Sequence, residues 1–230
     1  MADNCCQWEF LLGAPACTYD FVGHSYSAIV QTVNFLLGQA MALILAYIFR
    51  VYLHPLRVSA TTRHWGSFLA GLGICFFCYG RQVLLALLLV VGCYLLLLFV
   101  PATIVHRVML VFALTFLSVM HLERQFYEDG VFVLDVTGPL MIIVQKVTAL
   151  AYSLHDGLTK KEEDLTPLQK EMVIRQTPSF LEFLAYTMNF HSLNAGPFFM
   201  FADYQDFIQG THYAKRSLNI KVVSLLSLKN

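Results

Sequence analysis

The sequence predicts an all-α fold, a polytopic transmembrane helical bundle, and three observations predict it. Hydrophobic residues make up 57% of the 230 and charged residues only 13%, where soluble domains carry about 25% charged residues. The apolar residues gather into runs, the first and third of which exceed the roughly 20 residues that a spanning helix needs. The charges lie between those runs, and mean hydropathy is +0.62. A formal net charge of zero leaves no basic footprint for a nucleic-acid partner.

Residues 1–24 form an N-terminal segment. They hold Asp3 and Glu9 but no early Lys or Arg, so the basic n-region of a cleavable signal peptide is missing. Insertion then rests on the first membrane helix itself. From Phe21 to Phe49 there is no Asp, Glu, Lys or Arg, and Val33–Phe49 is strongly apolar. A second run, His64–Gly80, is short and glycine-rich and ends at Arg81. The third, Val83–Val105, is the strongest; its nine leucines favour insertion by roughly 3 to 5 kcal/mol together. Pro101 marks its end or a kink. The fourth, Val108–Met120, is marginal in length, which suits a tilted or interfacial helix. A fifth covers about Val136–Leu154 and a sixth about Phe180–Phe201, whose helix Ala195-Gly196-Pro197 ends or kinks.

Basic residues orient the bundle. Arg50, Arg57 and Arg63 follow the first run, Arg107 the third, and Lys160, Lys161, Lys170 and Arg175 the fifth, while the alternate loops hold Arg81 and Arg124. The positive-inside rule places the N-terminus outside or lumenal and the long Lys/Arg loop in the cytosol. The tail, with Lys215, Arg216, Lys221 and Lys229, departs from this alternation. Within the 155–178 loop, Thr166, Pro167 and Gln169 compose a T-x-x-Q capping box. Leu168 and Met172 share a face of the resulting helix, which reads as lying at the cytosolic interface.

Six cysteines show no disulfide pattern: Cys5, Cys6 and Cys17 lie near the start, and Cys75, Cys78 and Cys93 inside apolar runs. Cys75 and Cys78 form a C-x-x-C, but no second ligand pair accompanies them. Small apolar residues of a membrane helix is the better reading, and no metal site is assigned.

Polar chemistry concentrates in the last two runs. In the fifth, Gln145, Thr148, Tyr152 and His155 form one helical stripe, with Lys146 on the adjacent face. Such polar groups face a bundle interior or a water-filled cavity. Asp135 reads either as a helix cap or as one more polar group of this region. In the sixth, Ser179 and Glu182 make a capping box. On a continuous helix Glu182, Tyr186 and Asn189 share one face, and Thr187, His191 and Asn194 another. Asn189 and His191 invite a general-base reading, but two helical positions apart they point about 200° from each other. Hydrogen bonding between helices is the reading they favour. No G-x-S-x-G, P-loop, H-E-x-x-H or glycine-rich nucleotide fingerprint occurs.

The stretch DVTGPLMIIVQKVTALAYSLHDG (Asp135–Gly157), then PSFLEFLAYTMNFHSLNAGPFFMFADYQDFIQG (Pro178–Gly210), resembles the membrane-bound O-acyltransferase family, and within it the lysophospholipid acyltransferases of the lysophosphatidylethanolamine and lysophosphatidylserine branch. The resemblance implies the N-terminal portion of a many-helix membrane fold around a reaction chamber, with residues 25–210 as an incomplete membrane domain and 211–230 as a divergent tail. It implies acyl transfer from acyl-CoA, a co-substrate with no further cofactor, to the free hydroxyl of a lysophospholipid in the endoplasmic reticulum membrane. It also allows association with other membrane subunits. Gln145, Thr148, Tyr152, His155, Glu182, Asn189, His191 and Asn194 are then candidate chamber-lining residues. The family's catalytic His lies in a small-residue/Trp-His motif of its C-terminal half, where its catalytic Asn also lies. Trp8 and Trp65 have no such neighbour, so the expected catalytic His and Asn fall beyond Asn230, and the 230 residues alone are expected to be inactive. The alternative is a non-catalytic truncated isoform or membrane-interaction protein. A transporter reading, prompted by the polar stripes, lacks internally repeated broken helices.

Overall fold

The structure, a computed structural model, describes residues 21–55, 57–127, 135–194 and 196–211, with side chains from residue 30 onward. The expectations placed on Cys5, Cys6, Cys17, Lys215, Arg216, Lys221 and Lys229 lie outside the described residues. Among the described residues every regular element is helical. Helix α1 spans Phe21–Tyr52, α2 Ala60–Tyr79, α3 Val83–Phe99, α4 Val105–Tyr127 and α5 Thr137–Thr159. Three short helices follow: α6 Pro167–Met172, α7 Phe180–Thr187 and α8 Phe201–Gln209.

Among the described residues three stretches are long and apolar enough to cross a membrane: Val30–Tyr52, Ala60–Phe99 and Val105–Phe126. The second joins α2 to α3 through one 3-10 turn, Gly80–Gln82. Gly80 there has φ +54°, a conformation glycine adopts without the Cβ penalty. The α3 helix stops at Phe99, ahead of Pro101, whose carbonyl then accepts the N–H groups of Ile104 and Val105. The fourth run is longer than its apolar core: α4 has 23 residues because His106, Arg107, His121, Glu123 and Arg124 stay helical at its ends. Hydropathy marks where a helix is apolar, not where its backbone ladder ends.

The start of α5 decides the role of Asp135. Its carboxylate accepts the Thr137 N–H at 3.2 Å and pairs with Arg124 of α4 at 3.1 Å. The N-cap position itself is Val136, with no side-chain cap, so Asp135 stands one residue before it, meeting the first helical N–H and tying α4 to α5. Both expected capping boxes form: Thr166 Oγ1 accepts the Gln169 N–H at 3.3 Å, and Ser179 Oγ accepts the Glu182 N–H at 3.4 Å.

The sixth run is not one helix. α7 ends at Thr187, residues 189–194 turn, and helix resumes only at Phe201. Two local causes act together. The Asn189 side chain accepts its own backbone's N–H two residues on, a competitor to the helical ladder, and Pro197 lacks the N–H that a helix would use.

The core lies among α3, α4, α5 and α7, where Leu89, Met109, Leu140, Ile143, Phe183 and Tyr186 are fully buried. The α1 helix contributes little to it: Leu36, Leu43 and Tyr47 are 61%, 74% and 69% exposed. Its outer face suits lipid rather than water.

Candidate functional site

Two apolar helices each bury one cation, and those cations hold the broken segment. Lys146, in the middle of α5, has no exposed surface. Its ammonium donates to the Tyr186 carbonyl at 2.8 Å and reaches the Thr187 carbonyl at 3.4 Å. These carbonyls belong to the last turn of α7, which has no intrahelical donors left and carries the negative end of the helix dipole. The rings of Tyr186 and Phe199 flank the charge at 5.2 and 4.9 Å, within cation–π range. A buried charge needs such partners to be tolerated.

Arg63 repeats the device on α8. Counted in sequence as a charge between runs, it sits instead in the first turn of α2, 2% exposed. A basic residue next to a membrane run can belong to the helix that follows, and only packing shows which. Its guanidinium donates to the Ile208 carbonyl near the end of α8 and lies 5.2 Å from the rings of both Phe49 and Phe207. Beside it, His64 Nδ1 meets the Tyr204 hydroxyl at 2.9 Å. Arg63, His64 and Tyr204 were not among the sequence candidates, though an Arg–His pair opening an apolar run was a readable signal.

Between the pins lies the 188–194 turn. Asn189 Oδ1 accepts the backbone N–H of His191 at 2.8 Å and stands 2.9 Å from His191 Nδ1. The expectation that these residues point apart is overturned, because it assumed a continuous helix. The first contact identifies the Asn189 atom as the carbonyl oxygen, which can only accept. His191 Nδ1 must therefore carry the proton, and Nε2 presents a lone pair whenever the ring is neutral. Phe190, Phe207 and Phe49 surround it at centroid distances of 3.8, 5.5 and 5.9 Å.

The turn is also pressed against α2. A Cβ on Gly71 would lie 1.7 Å from the Met188 carbonyl oxygen, and one on Gly196 2.0 Å from that of His191. Only glycine allows these approaches. Asn194 leaves the pair and joins the α1–α2 seam, its Nδ2 donating to Cys78 Sγ at 3.5 Å, while Cys78 contacts the Asn34 carbonyl. Glu182 stays at the start of α7, where it also accepts from Gln205 Nε2 at 3.3 Å.

The α5 stripe lies on another side of the helix from Lys146. Gln145 and Tyr152 are exposed, and Thr148 bonds back to the Val144 carbonyl at 2.7 Å. His155 Nδ1 meets the Ala102 carbonyl at 2.8 Å, and its ring packs 4.0 Å from that of His106. Thus the structure unites Asn189 with His191 and separates both from Glu182, Asn194 and the stripe. Chemically, the united pair offers a hydrogen-bond acceptor of fixed tautomer in an aromatic surround.

Comparison with known proteins adds an independent line. Residues 124–226 match the model of the membrane-bound O-acyltransferase family. Over 191 residues the chain is 44% identical to lysophospholipid acyltransferase 6 of Drosophila melanogaster, covering 83% of this chain and 26% of that protein. It is 40% identical over 195 residues to membrane-bound glycerophospholipid O-acyltransferase 2 of Rattus norvegicus, 84% of this chain and 38% of that one. It is 38% identical over 192 residues to membrane-bound glycerophospholipid O-acyltransferase 1 of Homo sapiens, 83% and 39%. The chain thus spans between a quarter and two fifths of the length of these relatives.

Proposed function

We propose that this chain, whose residues 124–226 match the membrane-bound O-acyltransferase family model, serves acyl transfer from acyl-CoA to the free hydroxyl of a lysophospholipid, re-forming a diacyl phospholipid in the endoplasmic reticulum membrane. The observation that carries the reading is identity of 38–44% to proteins named for acyl transfer to lysophospholipids or glycerophospholipids, across more than four fifths of this chain. The buried cations and the broken helix between them support it. A purely lipid-facing scaffold would have no use for a fully buried Lys146 or a polar turn set among helices.

On this reading the 230 residues, which span between a quarter and two fifths of the length of these relatives, do not turn over by themselves. The test is an acyl-transfer assay on microsomes expressing residues 1–230 alone and on microsomes expressing a full-length relative. Turnover is expected only in the second; lysophospholipid-dependent product from the first defeats the claim of inactivity. The second reading is a non-catalytic partner, favoured by the exposed apolar face of α1. Co-purification of the chain with a full-length relative supports it, and a stable lone monomer opposes it.

A further inference from the structure

We propose that His191 Nε2 is a binding residue, the acceptor for a hydroxyl group of a single-chain phospholipid held against the 188–194 turn. This rests on the reading of the chain as serving lysophospholipid chemistry and assigns one contact within it. Three observations carry it. The tautomer is set by Asn189, whose Oδ1 takes both the backbone N–H and Nδ1–H of His191, so Nε2 has a lone pair and no proton. That Nε2 makes no hydrogen bond among the described residues, although the ring is only half-buried. Nε2 is not one of the fully buried orphaned atoms, so a ligand can reach it, and a ligand hydroxyl gives it a partner.

The surround selects the ligand class. Phe49, Phe190 and Phe207 present hydrocarbon to anything that reaches Nε2, which suits a lipid and disfavours a highly charged water-soluble molecule. The site is built rather than incidental. Lys146 holds the helix before the turn and Arg63 the helix after it, and the contact of Gly71 with Met188 fixes the turn against α2. A lysophospholipid has one free glycerol hydroxyl beside its acyl chain, and a diacyl phospholipid has none, so this acceptor distinguishes the two.

The experiment uses residues 1–230, labelled with 15N-histidine, in nanodiscs. The probes are 1-oleoyl-lysophosphatidylethanolamine and its 2-deoxy analogue, with hydrogen in place of the free hydroxyl. The His191 signals are assigned by their loss in H191F. In lipid-probe-free discs the spectrum should show the Nδ1–H tautomer. The hydroxyl lipid should move the Nε2 resonance, half-saturating at a concentration about three- to tenfold below that of its analogue, the worth of one neutral hydrogen bond. Identical responses to the two lipids overturn the proposal, as does no response at saturation, or a proton found on Nε2. Both decisive comparisons use the unmodified chain, so a poorly folding variant cannot obscure them. Acyl transfer is not measured here. Failure of the turnover assay therefore tells against the enzymatic reading, and failure of the lipid comparison against His191.

Discussion

Replacing Gly71 by alanine sets two physical effects of opposite sign against each other. In the interior of a helix, Gly→Ala stabilises by about 1 kcal/mol, because glycine gives up more backbone freedom on folding. At Gly71, however, the new Cβ would stand 1.7 Å from the Met188 carbonyl oxygen and 2.9 Å from its carbon. Ordinary contact begins near 3.4 Å, and backbone cannot rotate away as a side chain can. Either α2 or the turn must retreat by about 1.5 Å. A collision this deep with backbone belongs in the upper part of the range for overpacking, about 2–3 kcal/mol, so it outweighs the propensity gain. The net loss is about 1–2 kcal/mol, or a fall of about 2–8 °C in unfolding midpoint for a chain of this size. Gly73 is the internal control: it sits on the same helix two residues on, with nothing within 4 Å of its Cβ position. Thermal unfolding in detergent, followed by size-exclusion fluorescence, should show Gly71→Ala falling and Gly73→Ala holding or rising. An unchanged Gly71→Ala midpoint, or equal falls in both, refutes the packing of α2 against the turn.

Lys146→Met deletes the donor to the Tyr186 and Thr187 carbonyls while keeping an apolar stem of similar length. Loss of a charged hydrogen bond costs about 1.5–3 kcal/mol, partly offset because no cation is then buried. Hydrogen exchange at residues 186–194 should accelerate about tenfold while the α3 and α4 amides hold, and Lys146→Arg should restore part of the protection. Uniform acceleration would show that Lys146 pins nothing in particular. Ser179→Ala removes the acceptor of the Glu182 N–H and should destabilise by about 1 kcal/mol, read as faster exchange confined to the first turn of α7. No change there would mean that Glu182, through its bond to the Ser179 N–H, holds the cap unaided.

How much was legible in the chain follows from the range of each interaction. Helix α3 and the two capping boxes were readable because their causes lie within a few residues: continuous apolar side chains, a proline, a hydroxyl three positions from an acceptor. The resemblance carried by QKVTALAYSLHDG and PSFLEFLAYTMNF was local in the same way. In the sixth run Ala195-Gly196-Pro197 announced a break, but the helix already ends at Thr187, because Asn189 turns its side chain on its own backbone and hydropathy does not register that. Lys146 was seen, but only as a neighbour of the polar stripe; nothing in sequence says that its partners are carbonyls 40 and 41 residues away.

By itself, then, the sequence determined that this protein is an all-helical membrane protein whose last two runs resemble the membrane-bound O-acyltransferases, since composition and local motifs express themselves without tertiary contacts. Only the folded chain decided which polar groups face one another. Asn189 and His191 meet because a helix stops between α7 and α8, and it stays stopped because two distant cations, Lys146 and Arg63, satisfy the carbonyl ends of both short helices. A buried charge must find partners wherever the fold offers them, and sequence distance does not enter that requirement.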